Sequence, residues 1–180
     1  MKMKTYWKII RTVLFAVLLA VFFRSYLFAS YIVDGESMEP TLFDGNLLMV
    51  NKVIYDWKDI HREDVIVFHA NQKEDYVKRV IGVPGDHIEF KEDMLYVNGE
   101  AVPERYLDTL RPNDGDLFTN DFTLEEVTGY SEVPEGHLFV MGDNRRDSLD
   151  SRYFGFVSKE TVVGKVDVRY WPMSQLALKF

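Results

Sequence analysis

Tyr76-Val77-Lys78-Arg79-Val80-Ile81-Gly82-Val83-Pro84-Gly85-Asp86 is the stretch that decides the fold class. Its first half is an apolar, β-branched run interrupted by two cations, which reads as a strand. It stops at a turn with a mechanism, because Pro84 presets φ at the second turn position and Gly85 supplies positive φ at the third. Alternate strand residues share a face, so Tyr76, Lys78 and Val80 point the same way. A lysine in that company is either an edge residue whose amine reaches water or a desolvated amine with a lowered pKa.

Working outward, the same style recurs. Tyr31 to Val33, Leu47 to Val53 and Val65 to His69 precede it as short apolar or alternating runs. His87 to Phe90, Met94 to Val97, His137 to Met141 and Val162 to Tyr170 follow. Asn98-Gly99 is a strong two-residue hairpin signal. No long amphipathic helix is expected after residue 30, so the body reads as a mainly β, antiparallel fold. Arg111 to Asp116 is polar and turn-rich, and Phe122 to Val127 suits either a strand or a short helix. We therefore read 100–134 as a small variable excursion from a β domain covering 29–180.

The N-terminus is different in kind. Residues 1–28 hold Lys2, Lys4, Lys8, Arg11 and Arg24 and no acid, leaving 16 of the 21 basic residues against all 29 acids in the remainder. Thr12 to Phe23 alone spans only ~18 Å as a helix, but Ile9 to Phe28 supplies the roughly 20 residues a bilayer needs. Arg11 and Arg24 then fall near the two interfaces, with Tyr6 and Trp7 in one headgroup belt and Tyr26 in the other. A cleaved leader would share the basic start and apolar stretch, yet Leu27 and Phe28 spoil a small-x-small cleavage site at Ala29 or Ser30. The expectation is a short tail (1–8), one transmembrane anchor (9–28) inserted in a lipid bilayer with its N-terminus inside, and an outward-facing body.

With 180 residues, the chain is of one-domain size. It has no cysteine, which excludes disulfides, thiol nucleophiles and cysteine-ligated metals. A formal net charge of -8 argues against a nucleic-acid partner. His61, His69, His87 and His137 are scattered without metal-ligand spacing and read as structural residues. No metal, nucleotide or haem motif is present, so no cofactor is expected.

Three polar, tightly punctuated segments remain. The first is Gly35-Glu36-Ser37-Met38-Glu39-Pro40-Thr41-Leu42, a serine after a glycine turn just beyond the apolar segment. The second is the lysine strand. The third is Gly142-Asp143-Asn144-Arg145-Arg146-Asp147-Ser148-Leu149-Asp150-Ser151-Arg152, a dense set of hydrogen-bonding groups after a strand. Singly, each has a structural explanation: a turn-capping serine, a solvated strand lysine, a salt-bridged surface loop.

Together, and in this order behind an apolar N-terminus, the three segments resemble the motifs of bacterial type I signal peptidases over about residues 5–170. The resemblance implies a membrane-anchored serine endopeptidase that removes signal peptides from exported preproteins on the outer face of the cytoplasmic membrane. It implies Ser37 as nucleophile and Lys78 as general base, with Ser148 hydrogen-bonding the lysine and Asp150 and Arg152 supporting the site. Asp143 is expected to pair with Arg79 and, with Arg145, to act as scaffold. Some relatives carry Ser or Thr at the position of Gly35, whose hydroxyl helps form the oxyanion hole. Here the Ser37 N–H remains, and the second donor is open; losing one such donor costs ~3 kcal/mol. The resemblance implies cleavage after small-x-small, Ala-x-Ala-like sites. Tyr31, Val33, Leu42, Leu48, Val67 and Val77 are the corresponding apolar lining. Three other readings compete: a specialised Ser/Lys peptidase for a few pilin or conjugation substrates, a self-cleaving repressor-type protease, and a non-catalytic membrane-tethered β module.

Overall fold

The computed structural model describes residues 2–108 and 117–178, with side chains described from residue 6. Arg111 to Asp116, polar and turn-rich in sequence, lies outside the described residues. The apolar N-terminus forms helix α1 (Lys2–Leu27). Tyr6–Leu27 is long and apolar enough to cross a membrane, and none of that stretch is buried against the rest of the chain. The helix runs directly into β1 (Phe28–Ile32), so the strand begins earlier than the Tyr31–Val33 expected.

The body is mainly antiparallel β and contains two sheets. The larger has the order β1-β2-β11-β3-β4-β9-β10. It is built from β2 (Leu47–Asn51), β3 (Val65–His69), β4 (Asp75–Gly82), β9 (His137–Met141), β10 (Val157–Ser158) and β11 (Val162–Trp171) with β1. The smaller has the order β7-β6-β5-β8, from β5 (Ile88–Lys91), β6 (Met94–Val97), β7 (Glu100–Val102) and β8 (Phe122–Thr123). Ile88–Val97 thus shares a sheet with the flanks of the polar excursion rather than with the larger sheet. Asn98 and Gly99 take φ of 54° and 80°, as a tight hairpin between β6 and β7 requires. Gly85 has φ 84°, and the Asp86 N–H closes that turn on the Val83 carbonyl at 3.1 Å.

Phe122 to Val127 is both of the things its sequence allows. β8 ends at Thr123, which caps helix α2 (Leu124–Thr128) through a reciprocal bond with Glu126, and Gly129 at φ 77° ends the helix. Helix α3 (Ser151–Phe154) starts the same way, with the Asp150 carboxylate accepting from the Arg152 N–H.

Three apolar clusters hold this arrangement. One joins the small sheet to the large one, bringing Ile88, Phe90, Leu95, Val97 and Phe122 against Ile81, Phe139 and Met141. The other two cover opposite faces of the large sheet. Val33, Met38, Leu42, Leu48, Val65 and Val67 lie under the serine segment, and Ile66, Phe68, Val80, Leu138 and Val140 lie behind.

Gly164 on β11 marks a tight backbone approach in the large sheet. A Cβ there would lie 2.2 Å from the Asn51 carbonyl oxygen and 2.8 Å from its carbon. Backbone cannot yield as a side-chain end can, so Gly164→Ala should destabilise the fold by about 1–3 kcal/mol. Thermal unfolding of the full chain in detergent checks this; an unchanged Tm would show that β2 and β11 separate more easily than their register implies.

Candidate active site

The site forms where the serine turn, β4 and the loop after β9 converge. Chain order alone would leave Ser37 and Lys78 apart. The large sheet brings them together because β4 sits between β3 and β9, while Met38 and Leu42, both fully buried, pin the serine turn onto the apolar cluster beneath. Lys78 Nζ lies 2.6 Å from Ser37 Oγ. Lys78 is only 4% exposed. Burial pulls its amine down to about 8 from the ordinary value near 10.5, against the opposing pull of the Asp150 and Asp143 carboxylates.

The loop after β9 locks the serine turn from behind. The Asn144 N–H donates to the Ser37 carbonyl at 3.1 Å, and the Asn144 side-chain amide donates to the Glu36 carbonyl at 3.2 Å. Gly142 is the contact point. A Cβ there would fall 2.2 Å from Ser148 Oγ and 2.4 Å from the Ser37 oxygen. Its N–H donates to Asp150 Oδ2 at 3.0 Å, and Asp150 is clasped by Arg152 through two bonds of 2.8 Å. Asp150 therefore does two jobs at once, holding Gly142 and starting α3.

Next to Lys78 on the strand, Arg79 is fully buried and grips Asp143 through Nε at 2.8 Å and Nη2 at 2.6 Å. This is the pairing expected from the sequence. Arg79 also donates to the Glu63 carbonyl at 2.9 Å, and its guanidinium stacks 3.9 Å from the Tyr106 ring centroid. Removing one member of such a buried pair strands the other charge, at a cost of about 3–5 kcal/mol.

Arg145 extends the network into the small sheet. It donates to both carboxylate oxygens of Glu104, to Thr119 and to the Tyr106 hydroxyl, while its Nε bonds the Gly142 carbonyl at 3.1 Å. Glu104, Tyr106 and Thr119 were missed at the sequence level. They lie in or beside the polar excursion, and only the buried partner Arg145 marks them.

One site residue sits differently from expectation. Ser148 Oγ is buried and has no hydrogen-bond partner among the described residues, so it does not hold the lysine, whose amine bonds Ser37. Gly35 takes φ 93° and donates its N–H to Asp44 Oδ1 at 2.9 Å. Glycine serves here as a left-handed turn residue, a conformation in which a side chain is strained even with open space around it. Among the described residues the Ser37 N–H has no protein acceptor, which leaves it free to face a substrate oxygen.

In front of the dyad opens a cavity of about 230 Å³. Tyr31, Val33, Leu48, Val67 and Val77 line it together with Ser37 and Lys78. Leu42 does not. It is fully buried beneath the serine turn, in the same cluster as Met38, and is core. Ile32, Asp34, Asp75, Tyr76 and Leu149 complete the wall and were not anticipated. Burial and the neighbouring Asp75 push the Tyr31 phenol up to about 12, so it stays neutral. None of the four histidines hydrogen-bonds Ser37 or Lys78. His69 instead pairs with Asp75 at 2.5 Å, and His87 with the Ser131 carbonyl at 2.7 Å. Among the residues described, no cluster of acids and histidines could hold a metal ion.

The chain is also similar to known proteins. Residues 6–171 match the family described as "Signal peptidase, peptidase S26". A signal peptidase I from Bacillus caldolyticus is 58% identical over 167 residues, 92% of this chain and 91% of that protein. A signal peptidase IB from Staphylococcus aureus is 42% identical over 97% of this chain and 93% of its own length. The crystal structure of a signal peptidase I from Enterococcus faecalis V583 aligns with a TM-score of 0.57 at 43% identity, covering 61% of this chain and 97% of that one. With a family match over most of its length and relatives this similar, the chain belongs to the signal peptidase family, peptidase S26.

Proposed function

We propose that this protein is a membrane-anchored serine endopeptidase that removes signal peptides from exported preproteins after Ala-x-Ala-like sites, with Ser37 as nucleophile and Lys78 as general base. The observation that carries the reading is the 2.6 Å contact between a buried lysine amine and a serine hydroxyl at the head of an apolar-walled cleft. Serine is a weak nucleophile unless a base stands within hydrogen-bond reach. A neutral amine is such a base, and burial is what makes it neutral near physiological pH.

The reaction follows. Ser37 Oγ attacks the scissile carbonyl carbon as its proton passes to Lys78 Nζ. The oxyanion of the tetrahedral intermediate faces the open Ser37 N–H. The ammonium then gives its proton to the leaving amine as the C–N bond breaks, leaving the acyl group on Ser37. Water attacks the ester, Lys78 takes its proton, and the proton returns to Ser37 Oγ as the signal peptide's new carboxyl end departs. The cleft volume suits small side chains, which supports the small-x-small preference.

We assign the N-terminus to the cytoplasmic side of the cell membrane, on the strength of the basic residues before Thr12. The catalytic body, from about residue 29, then faces outward. The preproteins reach it through the same bilayer, so the anchor raises their effective concentration.

Lys78→Arg should lower kcat as severely as Lys78→Ala, by about a thousandfold or more, because a guanidinium stays protonated and accepts nothing. In the unmodified enzyme, kcat/KM should rise with pH through a limb near 8, as the lysine loses its proton, and level off above it. Cleavage assays on folded variants check both. Activity in Lys78→Arg, or a rate independent of pH across that limb, would remove lysine from the base role.

External protease on intact spheroplasts should digest the chain after α1. Full protection of that part would reverse the orientation.

A further inference from the structure

A second cavity, of about 340 Å³, lies beside the catalytic cleft and shares two walls with it, Tyr76 and Leu149. Its remaining lining includes the rings of Phe68, Phe154 and Phe156 beside the polar Asn71, Ser158 and Thr161. Its apolar side is a cluster of rings. Phe68 and Tyr76 meet edge-on at 6.2 Å between centroids, while Phe154 lies tilted to both, at 6.3 Å from Phe68 and 6.5 Å from Tyr76. Phe68 is 2% exposed and forms a fixed floor, whereas Leu149 is 55% exposed and stands between the two cavities. Neither the dyad nor the small-residue cleft uses this space.

Resting on the peptidase reading, we propose that this cavity is a subsite for an apolar side chain among the first residues after the cut. The argument is directional. The carbonyl half of the substrate stays on Ser37, and the amine half must leave beside the group that returns its proton. That group is Lys78, whose Nζ lies 5.5 Å from the Tyr76 ring centroid. A chain departing on the lysine's side passes Tyr76 and Leu149, the two side chains that lead into the aromatic cavity. The occupant is thus the mature end of the same preprotein, in continuity with the cleft that binds its signal side. Leu149 forms the lip between them. It follows Ser148 in the loop after β9, and Phe154, at the end of α3, lines the same cavity.

The test uses the full-length enzyme in detergent micelles and peptides with one fixed Ala-x-Ala signal side. They differ only at the first three positions after the cut, each set in turn to Leu, Phe, Ser or Asp. At one of these positions Leu or Phe should raise kcat/KM about tenfold or more over Asp, the scale expected when an apolar side chain fills an apolar pocket. In Phe154→Asp that ratio should collapse to near one. Leu149→Glu, a change at an exposed side chain, should shrink it too and guards against misfolding of the first variant. Equal kcat/KM across the series in an enzyme that cleaves every peptide overturns the subsite and leaves the peptidase reading standing. A preference that persists undiminished in both variants overturns its location. No cleavage of any peptide would strike the peptidase reading itself.

Discussion

A lysine amine accepts a proton near neutral pH only if the fold takes it out of water, and much of this structure serves that requirement. Lys78 sits on a strand flanked on both sides by other strands, with the serine turn pressed over it and only 4% of the residue exposed. The burial has a pH signature in stability as well. Below about pH 8 the folded protein must hold a charged ammonium in that apolar site, so the lysine lowers stability there. Between 8 and the ordinary value the folded form has lost its proton while the unfolded chain keeps it, and the penalty is progressively relieved.

Charges placed nearby are arranged so as not to undo this. Asp143 and Asp150 both pull the lysine toward its charged form, yet each is already clasped by an arginine, Asp143 by Arg79 and Asp150 by Arg152. Left unpaired, either carboxylate would favour the ammonium more strongly. The same pairs fix geometry. Asp150 holds the Gly142 N–H, the loop after Gly142 holds the Ser37 carbonyl, and Arg145 ties that loop to Glu104 beside the small sheet. The small sheet is therefore a buttress of the Ser37 turn rather than an appendage.

Much of this was legible from residue order. The strand through Lys78, the turn at Pro84-Gly85, the hairpin at Asn98-Gly99 and the apolar helix all follow from local periodicity and turn chemistry. The Arg79–Asp143 pair follows from motif resemblance. What stayed hidden depends on contacts between distant segments. Glu104 and Tyr106 look like ordinary polar-loop residues until Arg145 is seen buried against them. Leu42 reads equally well as pocket or core, and only its position beneath the serine turn decides for core. The sheet boundary at Ile88 was invisible because β5 has the same composition as the strands it leaves. Ser148 was expected to hold the lysine; its hydroxyl instead presses on Gly142, a contact that no pattern encodes.

The most direct measurement is the titration of Lys78 itself. Full-length protein carrying isotope-labelled lysine side chains, in detergent micelles, gives an NMR signal for each amine, and Lys78→Arg identifies the one that disappears. The account predicts that this signal titrates with a midpoint near 8. A midpoint at the ordinary ~10.4 would mean that burial does not neutralise the amine, and the lysine-base mechanism would fail with it.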